Sequence, residues 1–316
     1  MKMLSKNDYQ EIGAWMHRNA RELEMALWNY HFENGEKDDV INALAYYQNE
    51  DGGFGNTVEP DSWNPNSAPY NTLIAIGFLR SIEMVETKGV DHPMVQGIFR
   101  FLESGVHTDD EGWFFGIPSN DNYPHAPWWC YDEELNKVQN MGVTAGLCAF
   151  ILRYADRNSG VFEKASGYAG KILKKAVDTT DFGEMGVVGL NILIRDIQAA
   201  GLTAEFEFAG LPDKIKEAAN AAIERDVEQW ANYRPRPSEF IKSPDSPLYQ
   251  ENKEIVATEL DYLIDTRHPG GVWDITWTWF DLNEVYPKEF AISENWWKAS
   301  KAIEKIEYLK RFGRIK

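Results

Sequence analysis

The sequence predicts an all-α protein in which helical hairpins form a ring, with apolar helices inside and amphipathic helices outside. Apolar residues recur at helical spacing through most of the 316-residue chain. Predicted helices of apolar composition alternate with helices that carry a charged face. A turn with glycine and an aromatic residue follows three of the helix ends, which indicates an internal repeat. A ring of this kind makes residues 1–316 one domain with a central cavity.

Helix-start and helix-stop signals place the elements along the chain. Ser67 is a candidate N-cap, Pro93 lies in the first turn of its helix, and Gly105 follows the end of that helix. The proline-rich segment 234–250 is predicted to be a loop, and 271–280 is the only strand-like candidate. The ten predicted helices span residues 7–33, 38–48, 67–86, 92–105, 135–157, 159–177, 182–201, 211–233, 253–266 and 292–312.

The repeated turns read "INALAYYQNEDGGFG", "IFRFLESGVHTDDEGWFFG" and "ELDYLIDTRHPGGVWD". Each has an apolar helix with an aromatic residue near its end, a polar spacer, and then glycine followed by an aromatic residue. The glycines can supply the positive φ that ends a helix or tightens a turn, and the aromatic residue can fold back over the helix end. The glycines are Gly52, Gly53, Gly112, Gly270 and Gly271, and the aromatic residues are Phe54, Trp113 and Trp273.

The stretch "ALAYYQNEDGGFG" resembles the Gln-x-x-Asp-Gly-Gly-Phe-Gly repeat of the terpenoid cyclase and protein prenyltransferase superfamily, whose members are α/α toroids. It is most similar to a bacterial branch in which the repeat continues into Glu-Pro-Asp, matched here by residues 59–61. The full match covers about twenty residues. In that family the glutamine and the aromatic residue tie adjacent hairpins together. The resemblance therefore implies that Gln48, Asp51, Gly52, Gly53 and Phe54 are architectural, and that the chain is an α/α toroid.

The family's catalytic signatures are absent from this sequence. Squalene-type cyclases carry an Asp-x-Asp-Asp motif, which occurs nowhere in the chain. Protein prenyltransferases bind zinc through an Asp-x-Cys motif and a distant histidine. Here Trp128 precedes Cys130 by two residues, and Gly146 precedes Cys148. The resemblance consequently predicts a fold and leaves the reaction open.

Composition excludes several partners. The chain has 32 basic and 50 acidic residues, a formal charge of −18, which disfavours nucleic acid and anionic membranes as partners. Two cysteines are too few for a disulfide framework, and both are expected to be buried thiols. The N-terminal residues lack the pattern of a signal peptide, and no apolar run approaches the roughly 20 residues of a membrane span. We expect a cytoplasmic protein.

The first candidate site follows the repeat turn in "TVEPDSWNPNSAP". One interpretation places the carboxylates of Glu59 and Asp61 at the mouth of the cavity as catalytic acids, with Trp63 as a stacking platform. In the other interpretation, Asp61 or Ser62 satisfies nearby backbone donors and Glu59 is solvated.

The second candidate is the aromatic, proline-rich loop 120–134. His125 could shuttle a proton, Asp132 could act as an acid of raised pKa, and Trp128 and Trp129 could bind a ligand. The alternative is ordinary loop packing with solvated acids. The spacing of His125, Cys130 and Asp132 matches no familiar metal site, so no metal or other cofactor is predicted.

The third candidate lies in "HPGGVWDITWTWFDLNE". If this segment is extended, Trp277 and Trp279 share one face and Asp274 lies on the other, which places an aromatic strip beside a catalytic acid. The alternative is a repeat turn followed by core tryptophans.

Carboxylates and aromatic residues suit two chemistries and leave a third possibility open. One is acid-initiated rearrangement of a neutral, partly apolar isoprenoid, in which ring faces stabilise a carbocation. Another is glycan cleavage by a hydrolase or lyase, in which a carboxyl pair flanks a sugar stacked on tryptophan. The last is a binding or scaffold protein without catalysis. The sequence indicates a small-molecule or glycan ligand and no particular oligomeric state.

Overall fold

The computed structural model describes residues 1–179 and 182–316, and within these ranges the chain is helical and contains no strand, only isolated backbone pairs. The predicted all-α class is therefore confirmed. The described helices are α1 Lys6–Asn19, α2 Glu22–Phe32, α3 Lys37–Ala45, α4 Pro69–Ser81, α5 Met84–Lys88, α6 Pro93–Ser104, α7 Glu133–Tyr154, α8 Gly160–Asp178, α9 Gly183–Ala199, α10 Leu211–Ala222, α11 Pro237–Phe240, α12 Lys253–Thr266, α13 Leu282–Val285 and α14 Pro287–Arg311.

Three predicted helices are wrong in extent because the backbone leaves the helical conformation inside them. Helix 7–33 is divided by Ala20 and Arg21, which are extended. Helix 67–86 has Ala68 rather than Ser67 as its N-cap, and the left-handed Glu83 (φ 49°) separates α4 from α5. Helix 211–233 ends at Ala222, and the short 3₁₀ turn Val227–Ala231 follows it.

Segment 271–280 is irregular rather than a strand, so the strand-like prediction is wrong. No β-bridge involves this segment in the described chain. The predicted alternation of buried and exposed side chains holds only in part. Trp273 and Trp279 are buried, and Asp274 and Thr278 are exposed. Trp277, however, is only half-buried.

The described chain divides into two compact units, one formed by Met1–Ala43 with Ala219–Lys316 and the other by Leu44–Ala218. In the second unit α7 packs against α4, α8 and α9. Helix α7 is buried on every side over 140–152, whereas α8 buries a single face. A Cβ atom at Gly189 of α9 would lie 2.6 Å from the carbonyl oxygen of Gly142 on α7, so glycine allows these two helices to approach closely.

In the first unit α14 packs against α1 and α2. Arg267, which follows α12, donates to the carboxylates of Asp8 and Glu11 on α1. The backbone N–H of Gly270 also donates to Glu11, at 3.0 Å. The third repeat turn is thereby attached to the N-terminal helix.

Two of the repeat turns share one hydrogen-bond pattern. The N–H of Asn49 donates to the Gly53 carbonyl, and the N–H of His268 donates to the Val272 carbonyl, at 2.9 and 3.1 Å. The aromatic residue after each turn is buried, which is compatible with the prediction that Phe54, Trp113 and Trp273 fold back over the helix ends. Positive φ occurs at Gly52, Gly112 and Gly270 but not at Gly53 or Gly271, so the prediction is wrong for the last two.

Gln48 joins the first turn to α6. Its Nε2 donates to the Gly52 carbonyl at 2.9 Å and to the Met94 carbonyl at 3.0 Å. Asp51 accepts from the Gly53 N–H at 2.9 Å and from the Ser67 hydroxyl at 2.7 Å. These side chains hold the turn against its neighbours, as expected for architectural residues.

Candidate functional site

Two loops of the second unit pair along their backbones and form the candidate site. The loops are residues 59–64, after the first repeat turn, and residues 119–131, before α7. The N–H of Ala126 donates to the Asp61 carbonyl, and the N–H of Trp63 donates to the Pro124 carbonyl, both at 2.9 Å. The Asn64 amide donates to Ser119 and Asn120 at 2.8 Å. We call this pair the paired loops; they bring together the first two candidate sites.

Glu59 and Asp61 are buried, with 3% and 1% of their surfaces exposed. Burial is unusual for carboxylates, which seldom leave water without a specific reason. The interpretation of Glu59 as a solvated side chain is therefore wrong. Their catalytic role stays a prediction.

His125 is held in one orientation by the paired loops. Its Nδ1 lies 2.6 Å from the Tyr123 carbonyl oxygen and its Nε2 lies 3.2 Å from the Cys130 sulfur. Because a carbonyl oxygen can only accept, Nδ1 carries the proton of the neutral ring and Nε2 presents its lone pair to Cys130. The Asp121 carboxylate lies 4.0 Å from Nε2.

Cys130 is exposed, so the prediction that both cysteines are buried holds only for Cys148. Partial burial of the Cys130 thiol, and then the nearby Asp121 carboxylate, raise the pKa of this thiol. An activated cysteine nucleophile needs the opposite shift. The raised pKa therefore does not favour Cys130 as a nucleophile, although His125 Nε2 lies beside its sulfur.

Trp129 forms an aromatic cluster with Phe115 and Tyr70. The Trp129 ring stacks on Phe115 at 4.7 Å and lies 4.4 Å from the ring of Tyr70. Trp129 is 4% exposed, and its buried Nε1 has no hydrogen-bond partner among the described residues. Trp63 and Trp128 are half-buried. The Trp129 Nε1 donor is enclosed, with less than 1 Å² of its surface exposed.

Asp132 is exposed and caps α7, where its carboxylate accepts from the Leu135 N–H at 2.8 Å. This local role matches the preference of aspartate for N-cap positions. The structure brings Asp121, rather than Asp132, beside His125 and Cys130. A catalytic role for Asp132 stays a prediction.

Asp274, Trp277 and Trp279 belong to the first unit. Asp274 is exposed and bonds Lys298 at 2.9 Å and His268 at 2.7 Å. The hydrogen bond from Lys298, and then that from His268, lowers the pKa of Asp274, which suits a stable carboxylate more than a proton donor. Trp279 is fully buried, whereas Trp277 is half-buried and contacts the ring of Trp297 edge-on at 5.3 Å.

Lys305 on α14 has a perturbed environment that the sequence analysis missed. Burial, assisted by Arg236 and Lys301, lowers its pKa to about 7, and its ammonium lies 5.1 Å from the centre of the Trp273 ring. The sequence around Lys305, "KASKAIEKIEYLK", resembles a solvated amphipathic helix. It therefore gave no indication that this lysine is perturbed. Perturbed lysines of this kind occur at functional and at structural positions.

Glu259 is the second residue that the sequence analysis missed. It is fully buried on α12 and accepts from the Ser238 N–H and hydroxyl at 2.8 and 2.6 Å. Burial raises its pKa. A glutamate inside an ordinary helical pattern gives no indication of burial when only the sequence is known.

Two open depressions lie elsewhere on the described surface. One of about 530 Å³ is lined by residues 250–255 with Arg225 and Thr258, and one of about 960 Å³ by residues 203, 205–210 and 212 with parts of α8. Neither includes a residue of the paired loops.

The geometry therefore defines a class: an all-helical protein in which a loop with two buried carboxylates pairs with a loop that carries Trp129 and a histidine–cysteine–aspartate group. Comparison of the chain with family models, curated proteins and solved structures finds no match. None of the helices in the described ranges is both long enough and apolar enough to cross a membrane.

Proposed function

We propose that this chain is an α/α toroid similar to terpenoid cyclases and protein prenyltransferases, and an enzyme that uses carboxylic acids on a neutral, partly apolar small molecule. The observation that carries the proposal is the burial of Glu59 and Asp61 in a loop that pairs with the aromatic loop 119–131. The reaction is acid catalysis in a cavity lined by aromatic residues.

The surroundings of the carboxylates support this chemistry. Acid catalysis is favoured by a carboxyl group that is shielded from water and held in place. Glu59 and Asp61 are buried, and backbone hydrogen bonds hold the loop that carries them. Aromatic faces stabilise positive charge that develops on an apolar substrate. Tyr70, Phe115 and Trp129 supply such faces in the same unit.

The test is a product assay on the full chain with two substrate panels. One panel contains isoprenoid alcohols and linear polyprenes, and the other contains labelled oligosaccharides, with products detected by mass spectrometry. We expect conversion of an isoprenoid, and we expect Glu59→Gln and Asp61→Asn each to lower its rate by at least about 100-fold, the scale on which positioned acids and bases act.

The matched control is Glu50→Gln, which changes an exposed glutamate close to the same turn and should leave the rate unchanged. Cleavage of oligosaccharides that depends on the same two carboxylates would replace the isoprenoid proposal with a glycan-active enzyme. No turnover on either panel, together with no ligand-induced rise of the thermal midpoint, would overturn the enzyme proposal in favour of a scaffold.

A further inference from the structure

We propose that Asp121, His125 and Cys130 form a binding site for one transition-metal ion of the zinc type. The ligand atoms of the three side chains lie within 4.8 Å of one another. His125 Nε2 lies 3.2 Å from Cys130 Sγ and 4.0 Å from Asp121 Oδ1. This site is independent of the proposed chemistry of Glu59 and Asp61.

The distances are close to those that a tetrahedral ion requires. With zinc–nitrogen, zinc–sulfur and zinc–oxygen bonds of about 2.0–2.3 Å, neighbouring ligand atoms lie about 3.3–3.6 Å apart. The nitrogen–sulfur separation of 3.2 Å is slightly shorter and the nitrogen–oxygen separation of 4.0 Å slightly longer. Asp121 and Cys130 are both exposed, so rotation of their side chains can bring the three ligand atoms, now within 4.8 Å of one another, around one ion.

Outer contacts orient the ligands before any ion binds. The Tyr123 carbonyl accepts the Nδ1 proton of His125 at 2.6 Å, which directs the lone pair of Nε2 into the cluster. The Tyr131 N–H donates to Asp121 Oδ1 at 2.9 Å. A backbone carbonyl behind a histidine and a donor behind a carboxylate are the usual supports of metal ligands.

Backbone pairing and short 3₁₀ turns fix the conformation of the loop that carries the ligands. The antiparallel pairing of His125 with Ser62 and the 3₁₀ turns Pro118–Asn122 and Pro127–Trp129 hold its backbone. Only the histidine of the three is buried, with 7% of its side chain exposed, so the ion would bind at the surface end of the paired loops.

The ligand set selects the kind of ion. One nitrogen, one sulfur and one oxygen suit Zn²⁺ or Co²⁺ better than Mg²⁺ or Ca²⁺, which require oxygen ligands. Binding replaces the thiol proton of Cys130 with the metal, so one proton is released to solvent. Three protein ligands leave the fourth tetrahedral position for water or for another ligand, as in open zinc sites.

The first experiment titrates the chelator-treated full chain with Co²⁺ and Zn²⁺. We expect one equivalent of Co²⁺ to give a thiolate-to-cobalt charge-transfer band and tetrahedral ligand-field bands, and Zn²⁺ to displace it. Because loss of an outer contact already weakens metal binding by roughly 10–100-fold, Cys130→Ser, His125→Asn and Asp121→Asn should each weaken Zn²⁺ binding by at least about 100-fold.

Cys148→Ala is the matched control, because Cys148 is the only other cysteine and is fully buried. It should leave the cobalt spectrum unchanged. Circular dichroism of the metal-free variants establishes that they are folded, and Asp121→Asn, which changes an exposed side chain, keeps the test valid if the His125 variant does not fold. Absence of the charge-transfer band, or equal binding by the wild type and Cys130→Ser, would overturn the proposal.

A second experiment uses the unmodified protein. Cys130 is exposed and Cys148 is buried, so a thiol reagent should modify one cysteine of the native, metal-free chain. One equivalent of Zn²⁺ should slow this modification at least about tenfold, because the thiolate becomes a metal ligand. An unchanged rate of modification at saturating Zn²⁺ would contradict the site.

Discussion

Gly52 is the residue at which the repeat turn depends most directly on the absence of a side chain. Its φ is +95°, and a Cβ atom there would collide with the carbonyl oxygen of Gly97 on α6. The turn and α6 therefore approach more closely than any other residue type permits. Gly270 of the third turn also has a positive φ, +70°, but a Cβ atom there meets nothing within 4 Å.

This difference predicts unequal costs for the same substitution. Gly270→Ala should lower the free energy of unfolding by about 1 kcal/mol, the strain of a left-handed residue. Gly52→Ala adds overpacking against Gly97, so the free energy of unfolding should fall by a further amount of about 1–3 kcal/mol. Urea unfolding of both variants measures the difference. Equal loss in the two variants would show that the close approach of Gly52 to Gly97 does not matter.

The lowered pKa of Lys305 makes the free energy of unfolding depend on pH. Burial lowers its pKa from 10.5 to about 7, so between these values the unfolded chain binds a proton that the folded chain does not. Stability therefore rises with pH across this window, and the penalty of charging Lys305 is complete below pH 7.

Replacement of the ammonium should remove that dependence. We expect Lys305→Met to raise the thermal midpoint at pH 6 and the gain to shrink towards pH 10, measured by scanning calorimetry in matched buffers. Lys310→Met, at an exposed position of the same helix, should show no such trend. A gain of the same size at every pH would mean that packing, rather than charge, limits stability at Lys305.

At the scale of elements, α7 organises the segment that follows the second repeat turn. Asn136, Asn140 and Thr144 lie four residues apart and therefore on one face of the helix. Asn136 accepts from the Phe115 and Gly116 N–H groups at 2.8 and 2.9 Å. Thr144 accepts from the Trp113 N–H at 2.9 Å. This face of α7 therefore supplies the acceptors for the backbone N–H groups of residues 113, 115 and 116.

Removal of the Thr144 hydroxyl tests this role. Thr144→Val has nearly the same shape but leaves the buried Trp113 N–H without its acceptor, so we expect a loss of about 1–3 kcal/mol in the free energy of unfolding. Thr258→Val changes an exposed threonine whose hydroxyl bonds within its own helix, and should change stability by less than about 0.5 kcal/mol. Chemical unfolding compares the two; similar values would contradict the role assigned to α7.

At the scale of the whole molecule, the formal charge of −18 governs which partners can approach. We expect nucleic acids and anionic lipid surfaces to repel such a chain, since their binding depends on clustered basic residues. We expect no change in fluorescence anisotropy of labelled duplex DNA and no co-sedimentation with anionic vesicles, even at low salt. Binding at low salt that disappears at high salt would reveal a basic surface that the total charge conceals.

The helical class followed from local patterns. Helical spacing predicted the all-α class, and the glycine-aromatic pattern identified turns whose aromatic residues, Phe54, Trp113 and Trp273, are buried in the structure. Boundaries failed where the backbone changes conformation without a proline or glycine, as at Ala20 and Glu83. The physical reason is that helix propensities differ by well under 1 kcal/mol between ordinary residues, so tertiary contacts decide where a helix ends.

The sequence by itself determined the helical class, the net charge, and the short list of carboxylates and aromatic residues from which a site could be built. The tertiary structure decided which of them meet: it buried Glu59 and Asp61, assigned Asp132 to a helix cap, and placed Asp121 beside His125 and Cys130. Periodicity reports which face of a helix is apolar. It carries no information on which loops pair, because loop pairing depends on hydrogen bonds between segments some sixty residues apart along the chain, such as that from Ala126 to Asp61.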